Sequence, residues 1–319
     1  MTIIDNQRHE LMAEFARLYY KEKLNQSAVA KKMNTSISTI SRLLQEAHDQ
    51  KIVEIIIRYP TATVPTLEKK LEEKLPLKAA HVLRSFQDPY PEVVDRVAQQ
   101  AALVLDDYLE EGKTLGISLG MAVAATARHF RSTKPIHCKV IRLQGASENE
   151  LLEGTNLTQT FANQLGGEFT IIPSPWLLKS EELALSILQE TSVAEAVHMA
   201  EQADIALVGM GTMDPDRSTI FRNQLISCEE LGSLRDFGIA GEICGKHYDR
   251  NGNVQDVPFN RRTVAINIEK LRDFSTVIGV AAGKPKAEAA MAAARGGLIS
   301  VLVTDSDSAE AILEKLDST

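Results

Sequence analysis

The sequence has little cysteine and no long apolar run, and each shortage excludes a class of protein. Among its 319 residues are three cysteines, odd in number and far apart: Cys138, Cys228 and Cys244. That spacing suits neither a disulfide framework nor a zinc cluster, so we expect three buried thiols and no metal site. No stretch is apolar for long enough to cross a bilayer, and the opening MTIIDNQRHE lacks the basic and then apolar layout of a signal peptide. We therefore expect a cytoplasmic chain with no membrane partner.

The composition is that of an ordinary globular protein, but the charge is unevenly distributed. Hydrophobic residues make up 44% and charged residues 24% of the chain, and the length allows one small and one large domain. The net charge is -8, yet residues 1–58 hold roughly nine Lys and Arg against seven Asp and Glu. A neutral-to-basic head on an acidic body suits a protein that contacts DNA through a local patch, although so small a difference also arises by chance.

Residues 1–59 are predicted to form an N-terminal domain with the elements of a winged helix-turn-helix. A first helix is indicated by apolar residues at helical spacing, namely Leu11, Met12, Phe15, Leu18 and Tyr19. Asn25 can cap a second, short helix with a buried face of Val29, Ala30 and Met33.

A third helix is predicted after the turn Asn34-Thr35-Ser36, with Ser36 as its capping residue. Its apolar residues at i, i+3 and i+7 are expected to face the first two helices: Ile37, Ile40 and Leu44. The β-branched stretch IVEIIIRY, residues 52–59, indicates a strand or wing. Two prolines and small polar residues in 60–65 indicate a linker.

The outer face of these helices carries the residue types that a DNA-reading pair of helices needs. A helix-turn-helix inserts the N-terminal end of its second helix into the major groove, where small polar residues allow close approach. The predicted DNA-contacting residues are Tyr20, Gln26, Ser36, Ser38, Thr39 and Arg42. Arg42 can take guanine O6 and N7 or a phosphate, whereas Gln26 and Tyr20 are placed to reach phosphates. The alternative is a helical trio with ordinary solvated polar residues, in which Tyr20 is a plain surface aromatic.

Residues 60–319 are predicted to form an α/β domain. Short apolar strands alternate with amphipathic helices, which indicates a mostly parallel, doubly wound sheet covered on both faces. A helix lined by Leu67, Leu71 and Leu75 suits packing on this body or on a second copy. We predict strands at 80–83, 114–118, 140–143, 169–172, 205–208, 264–268, 277–281 and 298–303. We predict helices at 92–109, 121–130, 157–165, 181–189, 193–201, 285–294 and 309–316.

Glycines and polar residues follow four of these strands. Ligands of parallel sheets bind beyond the carboxyl ends of the strands, where glycine lets backbone amides approach an anion. The candidate residues are Gly116, Ser118, Gly120, Gly145, Gly209, Gly211, Thr212, Gly283, Lys284 and Lys286. In AAGKPK, Pro285 opens a helix whose positive dipole end lies beside two lysines, so this is the strongest candidate for a phosphate cradle. Tight turns need glycine anyway, so a single such loop is weak evidence. Glycine-containing loops after four strands of one sheet together indicate a small anionic ligand.

Three further residues of the predicted α/β domain have alternative roles. Glu242, between glycines in IAGEICG, can bind sugar hydroxyls or cap a local turn. Arg222 in TIFRNQ can bond a phosphate or form a surface salt bridge. Trp176, the only tryptophan, is expected in the core and not as a platform for a sugar.

These motifs together resemble the SorC/DeoR-type family of bacterial sugar-responsive regulators. The likeness runs from about residue 10 to residue 319 through LNQSAVAKKMNTSISTISRLLQEAHDQKIVEI, GISLG, VGMGT, GEICGKHYDRNGNV, AAGKPKAEA and VLVTDSDSAEAIL. It implies a winged helix-turn-helix on double-stranded operator DNA, an isomerase-like domain that binds a phosphorylated sugar, and a homo-tetramer. It matches four residues to the DNA-contacting motif: Gln26, Ser38, Thr39 and Arg42. It matches seven to the effector pocket: Ser118, Gly120, Gly145, Gly209, Glu242, Gly283 and Lys286.

Two positions depart from the family pattern. A member that forms a Schiff base with its effector does so through a lysine where this chain has Gln144, in LQGA, and an amide cannot form an imine. The family carboxylate is often aspartate where this chain has Glu242. The resemblance therefore implies an effector bound without a covalent bond, in a pocket shaped for a different sugar.

We expect a regulator, not an enzyme, with no catalytic residue and no cofactor. Two other functions are alternatives to it. One is a sugar-phosphate isomerase or deaminase-like enzyme with Glu242 as its base, but the sequence offers no second acidic or histidine residue at a convincing strand end nearby. The other is a helical head that binds a protein. The polar face around Arg42 disfavours it, because protein interfaces usually present an apolar anchor.

Overall fold

The computed structural model describes residues 3–50, 52–53, 62–134, 136–147 and 157–318. The chain divides into two compact units, Met1–Arg58 and Tyr59–Thr319. Most of the predicted wing, residues 54–59, and the start of the predicted linker, residues 60–61, lie outside the described residues. The wing therefore stays a prediction.

The described residues of the first unit form three α-helices around one apolar core. Helix α1 spans Ile3–Ala16 and continues into a π-helical turn, Arg17–Lys21; α2 spans Gln26–Lys32 and α3 spans Ile37–Asp49. The buried residues are Met12, Phe15, Ala16, Leu18, Val29, Ala30, Ile40, Leu43, Leu44 and Ala47. Each helix contributes one stripe at helical spacing, as the sequence predicts.

Both predicted helix caps of this unit are confirmed. The Asn25 side chain accepts a hydrogen bond from the Ala28 amide at 2.9 Å, and the Ser36 hydroxyl accepts one from the Thr39 amide at 3.1 Å. Asn34 has φ +50°, a left-handed conformation that asparagine tolerates better than most residues. A capped start on each helix and this turn between them fix where α3 begins.

Two apolar residues of the first unit were predicted to face the core, but the structure exposes them. Leu11 is 44% exposed and Ile37 is 51% exposed. Leu11 lies about 100° around α1 from the fully buried Met12. Ile37 is in the first turn of α3, where the buried stripe ends, and Leu43 and Ala47 complete that stripe instead. The spacing of apolar residues predicts which face of a helix is apolar. It does not predict how much of that face the other helices cover.

In the second unit, the part of the chain that the structure describes contains ten strands. They are β1 Ala79–Leu83, β2 Thr114–Ile117, β3 Lys139–Ala146, β4 Phe169–Pro175, β5 Ile205–Gly209, β6 Gly211–Thr212, β7 Ile239–Ile243, β8 Lys246–Asp249, β9 Thr276–Val280 and β10 Val301–Asp305. Seven form one sheet in the order β1-β10-β9-β5-β2-β3-β4, in which every neighbouring pair is parallel. The other three form a small antiparallel sheet, β6-β7-β8.

Helices cover both faces of the parallel sheet, as predicted. The α-helices are α4 Pro65–Lys74, α5 Tyr90–Tyr108, α6 Met121–His129, α7 Leu157–Leu165, α8 Glu181–Gln189, α9 Thr191–Ala200, α10 Thr219–Arg222, α11 Cys228–Asp236, α12 Pro258–Arg261, α13 Ala287–Arg295 and α14 Ser306–Asp317. Short 3-10 helices span Ile268–Asp273 and Lys284–Lys286. One core cluster packs α4, α13 and α14 on the sheet, and another packs α5, α6 and α7. Leu71 and Leu75 are buried in the first of these, so α4 packs on its own body.

Strand β4 is one edge of the parallel sheet and exposes apolar side chains. Phe169 is 41% exposed and Ile171 is 39% exposed. Pro173 and Pro175 stand in the second half of the strand, where their side chains are also exposed. Proline tolerates this position because an edge strand has one side without ladder hydrogen bonds.

Several elements differ from the predictions. The apolar run 264–268 does not form a strand. It makes the isolated bridge Gln144–Ala265, and the residue before it makes another, Leu177–Thr263. The small sheet and α10, α11 and α12 were not predicted. The strands of that sheet and α10 and α12 are two to five residues long, which is too short for a periodic signal. The nine-residue α11 was missed although Ser227 and Glu230 form a capping box at its start. Cys228 is exposed, whereas Cys138 and Cys244 are buried as expected, since Cys228 opens the amphipathic helix α11 on its outer side. Within the described part of the chain, no helix combines the length and the apolar character needed to span a membrane.

Candidate functional site

The direction of the chain across the parallel sheet reverses between β2 and β5. The chain runs from β2 to β3 and β4 on one side, and then returns to place β5 on the other side of β2. Such a reversal opens a crevice at the carboxyl ends of the strands. A cavity of about 410 Å³ lies there, lined by the segments that follow β2, β5 and β9. Its volume is in the range that small-molecule sites occupy, roughly 300–1,000 Å³.

Five of the predicted effector residues line this cavity. They are Gly120, Gly209, Gly211, Glu242 and Lys286. They come from the ends of β2 and β5, from the small sheet and from the 3-10 helix after β9. The fold therefore brings together predicted residues that lie up to 166 positions apart in the chain, from Gly120 to Lys286.

Glu242 is held in the cavity by backbone contacts on both sides. Its Oε2 accepts a hydrogen bond from the Gly245 amide at 2.8 Å. Its Oε1 lies over Gly211, where a β-carbon would be only 2.0 Å away, so a side chain at position 211 would have to displace that of Glu242. Burial raises the pKa of Glu242, and the Gly245 amide and the charge of Lys286 oppose that rise. In either protonation state, an oxygen of this carboxyl group can accept a hydrogen bond from a ligand.

Lys286 is a buried cation in the wall of the same cavity. Its side chain is 8% exposed, and its Nζ donates a hydrogen bond to the Met210 carbonyl at 2.8 Å. Burial lowers the pKa of Lys286 to about 8, against the opposing charges of Glu242 and Asp214. Near neutral pH the ammonium keeps its charge and has further protons to donate, as an anionic ligand requires.

The start of α6 adds backbone donors to the cavity. Gly120 precedes this helix with φ +148°, and no side chain caps the helix start. Leu119, Met121 and Ala122 line the cavity with it. The first-turn amides of a helix have no partner within the helix, and they lie at the positive end of its dipole. Together with Lys286, they suit a phosphate group.

Seven predicted effector residues are not among those that line the cavity: Gly116, Ser118, Gly145, Thr212, Arg222, Gly283 and Lys284. Two of the glycines serve close packing, because a β-carbon would lie 2.6 Å from Leu143 Cδ2 at position 116 and 2.4 Å from the Ser174 carbonyl oxygen at position 145. Arg222 and Lys284 are exposed. Their assignment to an effector site is not supported by position.

The other three hold the cavity segments in place. The Ser118 hydroxyl accepts a hydrogen bond from the Gly209 amide at 3.0 Å and so joins the ends of β2 and β5. The Thr212 hydroxyl donates to the Pro285 carbonyl at 2.7 Å. The Gly283 amide donates to the Asp305 carboxylate. These contacts give Ser118, Thr212 and Gly283 a positioning role.

The cavity also contains side chains that sequence reasoning did not assign to it. Trp176, expected in the core, is half-buried at the end of β4 and lines the cavity. Tyr90, at the start of α5, lines it too and carries the Arg217 guanidinium 4.2 Å from its ring centre. Gln144 is 4% exposed and its side-chain oxygen accepts a hydrogen bond from the Leu119 amide at 3.2 Å. Strand-end glycines give no signal for these residues, which come from other elements.

In the first unit, the predicted DNA-contacting residues cluster around the start of α3. The Ser36 hydroxyl lies 2.8 Å from those of both Ser38 and Thr39. The Arg42 side chain is 70% exposed and is 3.9 Å from the Glu46 carboxylate. Gln26 is the first residue of α2 and is half-buried. The start of α3 thus presents small hydroxyl groups and one extended cation to solvent.

Tyr20 differs from the other predicted DNA-contacting residues. Its hydroxyl lies 2.7 Å from His48 Nε2, and its ring packs edge-on against Tyr19 with the centres 4.8 Å apart. The side chain is half-buried. A phosphate would have to compete with His48 for this hydroxyl.

The sequence matches a known domain family over most of its length. Residues 60–314 match the Sugar-bind family, described as "Putative sugar-binding domain". This stretch contains all the residues that line the cavity.

Similar proteins cover both units of the chain. The sorbitol operon regulator of Klebsiella pneumoniae is 30% identical over 308 residues, which cover 95% of this chain and 98% of that protein. The deoxyribonucleoside regulator of Bacillus subtilis is 27% identical over 315 residues, covering 98% and 100%. The crystal structure of full-length SorC from Klebsiella pneumoniae superposes with a TM-score of 0.70 at 30% identity, covering 96% of this chain and 99% of that one. The chain therefore belongs to the SorC/DeoR-type family of bacterial transcriptional regulators.

Proposed function

We propose that this regulator binds operator DNA through residues 1–59 and is controlled by a phosphorylated sugar bound in residues 60–319. Its target is a carbohydrate-utilisation operon. The observation that carries the effector half of the proposal is the meeting of Lys286, Glu242 and the start of α6 in one cavity. A cation, a carboxylate and free helix amides are the partners that a phosphate ester and sugar hydroxyls need.

In the DNA-binding half, α2 and α3 act as a helix-turn-helix within a winged domain. The support is the capped start of α3, its exposed hydroxyl groups and the 70% exposed Arg42 side chain. Arg42 reaches base edges or phosphates, and Ser36, Ser38 and Thr39 allow close approach to the major groove. Gln26 contacts phosphate at the start of α2. Tyr20 adds a phosphate contact only if it exchanges its His48 partner.

In the effector half, the phosphate binds between Lys286 and the α6 amides, and the sugar hydroxyls bind Glu242. Gln144 stands in the wall of the same cavity and has no amine to offer. Aldehyde capture through an imine at this position is therefore absent, and the effector is held by hydrogen bonds and charge.

The chain assembles as a homo-oligomer, with a tetramer as the proposed state and the α/β unit as the site of association. The exposed apolar side chains of β4, Phe169 and Ile171, support association at that edge of the sheet. Symmetric association places helix pairs on spaced half-sites of the operator.

An enzyme with Glu242 as its base is the function that the relatives disfavour, since those reported above are named as regulators. The cavity does bring a second titratable group, Lys286, near Glu242, as the sequence analysis expected of the effector pocket, but this group is neither acidic nor a histidine. In a regulator, the same pair binds a ligand without turning it over.

The proposal is tested with the full chain, a labelled duplex of its own promoter region and a panel of sugar phosphates. We expect the promoter to bind more tightly than a scrambled duplex, in anisotropy titrations at fixed salt. At least one sugar phosphate should raise the melting temperature and change promoter affinity. A protein that ignores its promoter but converts a sugar phosphate would overturn the proposal.

A further inference from the structure

One wall of the cavity carries three kinds of side chain in a fixed order. Lys286 bonds to the Met210 carbonyl, the next residue, Gly211, lies beneath Glu242, and Glu242 bonds to the Gly245 amide. The sequence of contacts therefore runs from a cation through a carboxylate to Gly245.

The same wall ends in an aromatic ring. A β-carbon on Gly245 would lie 2.5 Å from Cζ3 of Trp176, so the indole packs directly on that glycine, which has φ +73°. The order along the wall is thus cation, carboxylate, aromatic ring. A phosphorylated sugar offers a matching group for each: a phosphate, hydroxyls and a face of carbon-bound hydrogens.

Trp176 is fixed in place before any ligand arrives. Its amide donates a hydrogen bond to the Ala146 carbonyl at 3.0 Å, and its carbonyl accepts one from the Val264 amide at 2.8 Å. Its ring also packs on Phe259, with the centres 5.9 Å apart. A ring held on these sides keeps its remaining surface towards the cavity at little entropic cost on binding.

The side-chain amide of Gln144 also lines the cavity. Gln144 spends its side-chain oxygen on the Leu119 amide, so the –NH2 end is the one that remains for a ligand. Glu242 accepts hydrogen bonds and Gln144 donates them, and the two complement the hydroxyls of a sugar whose position the aromatic ring sets.

We propose that Trp176 makes this cavity selective for sugars in their ring form, with a C–H face of the sugar stacked on the indole and its hydroxyls on Glu242. This inference rests on the proposed sugar-phosphate function and names the specificity-determining residue of that site. A closed sugar ring offers a rigid apolar face to an aromatic side chain. An open-chain polyol phosphate has the same phosphate and hydroxyls, but it must lose more rotational freedom to present such a face.

The single tryptophan of the chain makes the test direct, because all tryptophan emission comes from Trp176. The probes are three pairs that differ in ring closure: ribose 5-phosphate with ribitol 5-phosphate, glucose 6-phosphate with glucitol 6-phosphate, and fructose 6-phosphate with mannitol 6-phosphate. Binding to the full chain is measured by calorimetry and by tryptophan emission, with inorganic phosphate as the probe that reaches only the Lys286 end. We expect a ring-form member to bind about tenfold more tightly than its polyol and to change the emission, and phosphate to leave the emission unchanged.

Two variants complete the design. Trp176→Leu should remove the preference for the ring form while the polyol binds as before, and Trp176→Phe should keep part of it, so the milder variant answers if the first fails to fold. Phe237→Leu, at an aromatic side chain that is 58% exposed and does not line the cavity, is the control and should change neither. Equal or tighter binding of the polyols would overturn the inference and leave the proposed function standing. If no sugar phosphate binds at all, the proposed function fails and the inference falls with it.

Discussion

At the residue scale, Lys286 combines a charge with an environment that makes the charge responsive to pH. Its burial lowers the pKa to about 8. A bound phosphate stabilises the protonated form, so affinity is highest where the ammonium is already charged. Between pH 7 and pH 9 we expect the affinity for a sugar phosphate to fall roughly tenfold as the free ammonium loses its proton. Calorimetry across this range checks the direction; an affinity that rises with pH would contradict it.

Replacement of the same residue tests its contact with the ligand. Lys286→Met should weaken sugar-phosphate binding by about 2 kcal/mol, roughly thirtyfold, because a buried charge-assisted contact is lost. The affinity of the variant should also no longer depend on pH around 8. Lys284→Met is the matched control, since Lys284 is exposed and does not line the cavity. Equal losses in both variants would mean that the overall charge of the loop, not the cavity, binds the phosphate.

Arg42 is the residue of the first unit that is expected to contact base edges or phosphates of the operator. Its nearest carboxylate, that of Glu46, is 3.9 Å away and is also paired with Arg8 at 2.7 Å. Arg42→Ala should weaken specific operator binding by about 1–3 kcal/mol, the contribution of one base contact, while effector binding survives. Anisotropy with promoter DNA and calorimetry with the effector measure the two separately. Gln45→Ala, an exposed position on the same helix, should leave both intact.

Loss of effector binding in Arg42→Ala would show a structural role for this side chain. That outcome is distinguishable from the expected one because the effector cavity lies in the other unit of the chain.

At the scale of elements, the small sheet β6-β7-β8 holds Glu242 where the cavity needs it. Gly211 of β6 pairs with Glu242 of β7, and the carboxyl group lies over the glycine. Gly211→Ala should displace Glu242, lower stability by roughly 1–3 kcal/mol and abolish effector binding, since the new carbon would overlap Oε1. Thermal melts with and without the effector measure both effects.

Gly232→Ala is the matched control for this substitution. Nothing lies within 4 Å of a β-carbon at position 232, and the residue is inside α11. The change should raise stability by about 0.5–1 kcal/mol, because alanine loses less entropy in a helix. A stable Gly211→Ala protein with unchanged effector binding would remove Glu242 from the proposed site.

Several elements with a capping residue and a clear period were predictable from the sequence, although the capped helix α11 was missed. The bounds of α8, which starts after the Ser180 cap, match the prediction to the residue. The run 264–268 is as apolar as a strand, but it meets β3 only through the isolated bridge Gln144–Ala265. Which partner an apolar segment meets depends on contacts distant in the chain, and no local pattern records them.

The site was predictable in part for the same reason. Glycines at strand ends identified Gly120, Gly209 and Gly211, since parallel strands bring their carboxyl ends to one edge. The glycines at 116 and 145 look alike in sequence but serve packing against Leu143 and Ser174. Trp176 was missed because an aromatic residue after a strand is as common in a core as in a site.

At the scale of the whole molecule, the two units must influence each other through free energy if the effector regulates. The factor by which the effector changes operator affinity must equal the factor by which the operator changes effector affinity. We expect both factors to agree within error when each titration is repeated with the other ligand saturating. Lys286→Met should bind the operator as the unchanged protein does without effector, and lose the response. A collapse of its DNA binding without effector would instead indicate a folding defect.

The prolines in β4 limit how this protein can aggregate. Strand addition needs amide donors along an exposed edge, and Pro173 and Pro175 have none. Pairing through backbone donors at this edge is thus restricted to the first half of the strand, around Phe169 and Ile171. A second copy can still rest there through its apolar side chains, but a continuous fibre-like ribbon cannot grow from it. An edge with exposed apolar side chains but few free amide donors favours closed assemblies over filaments.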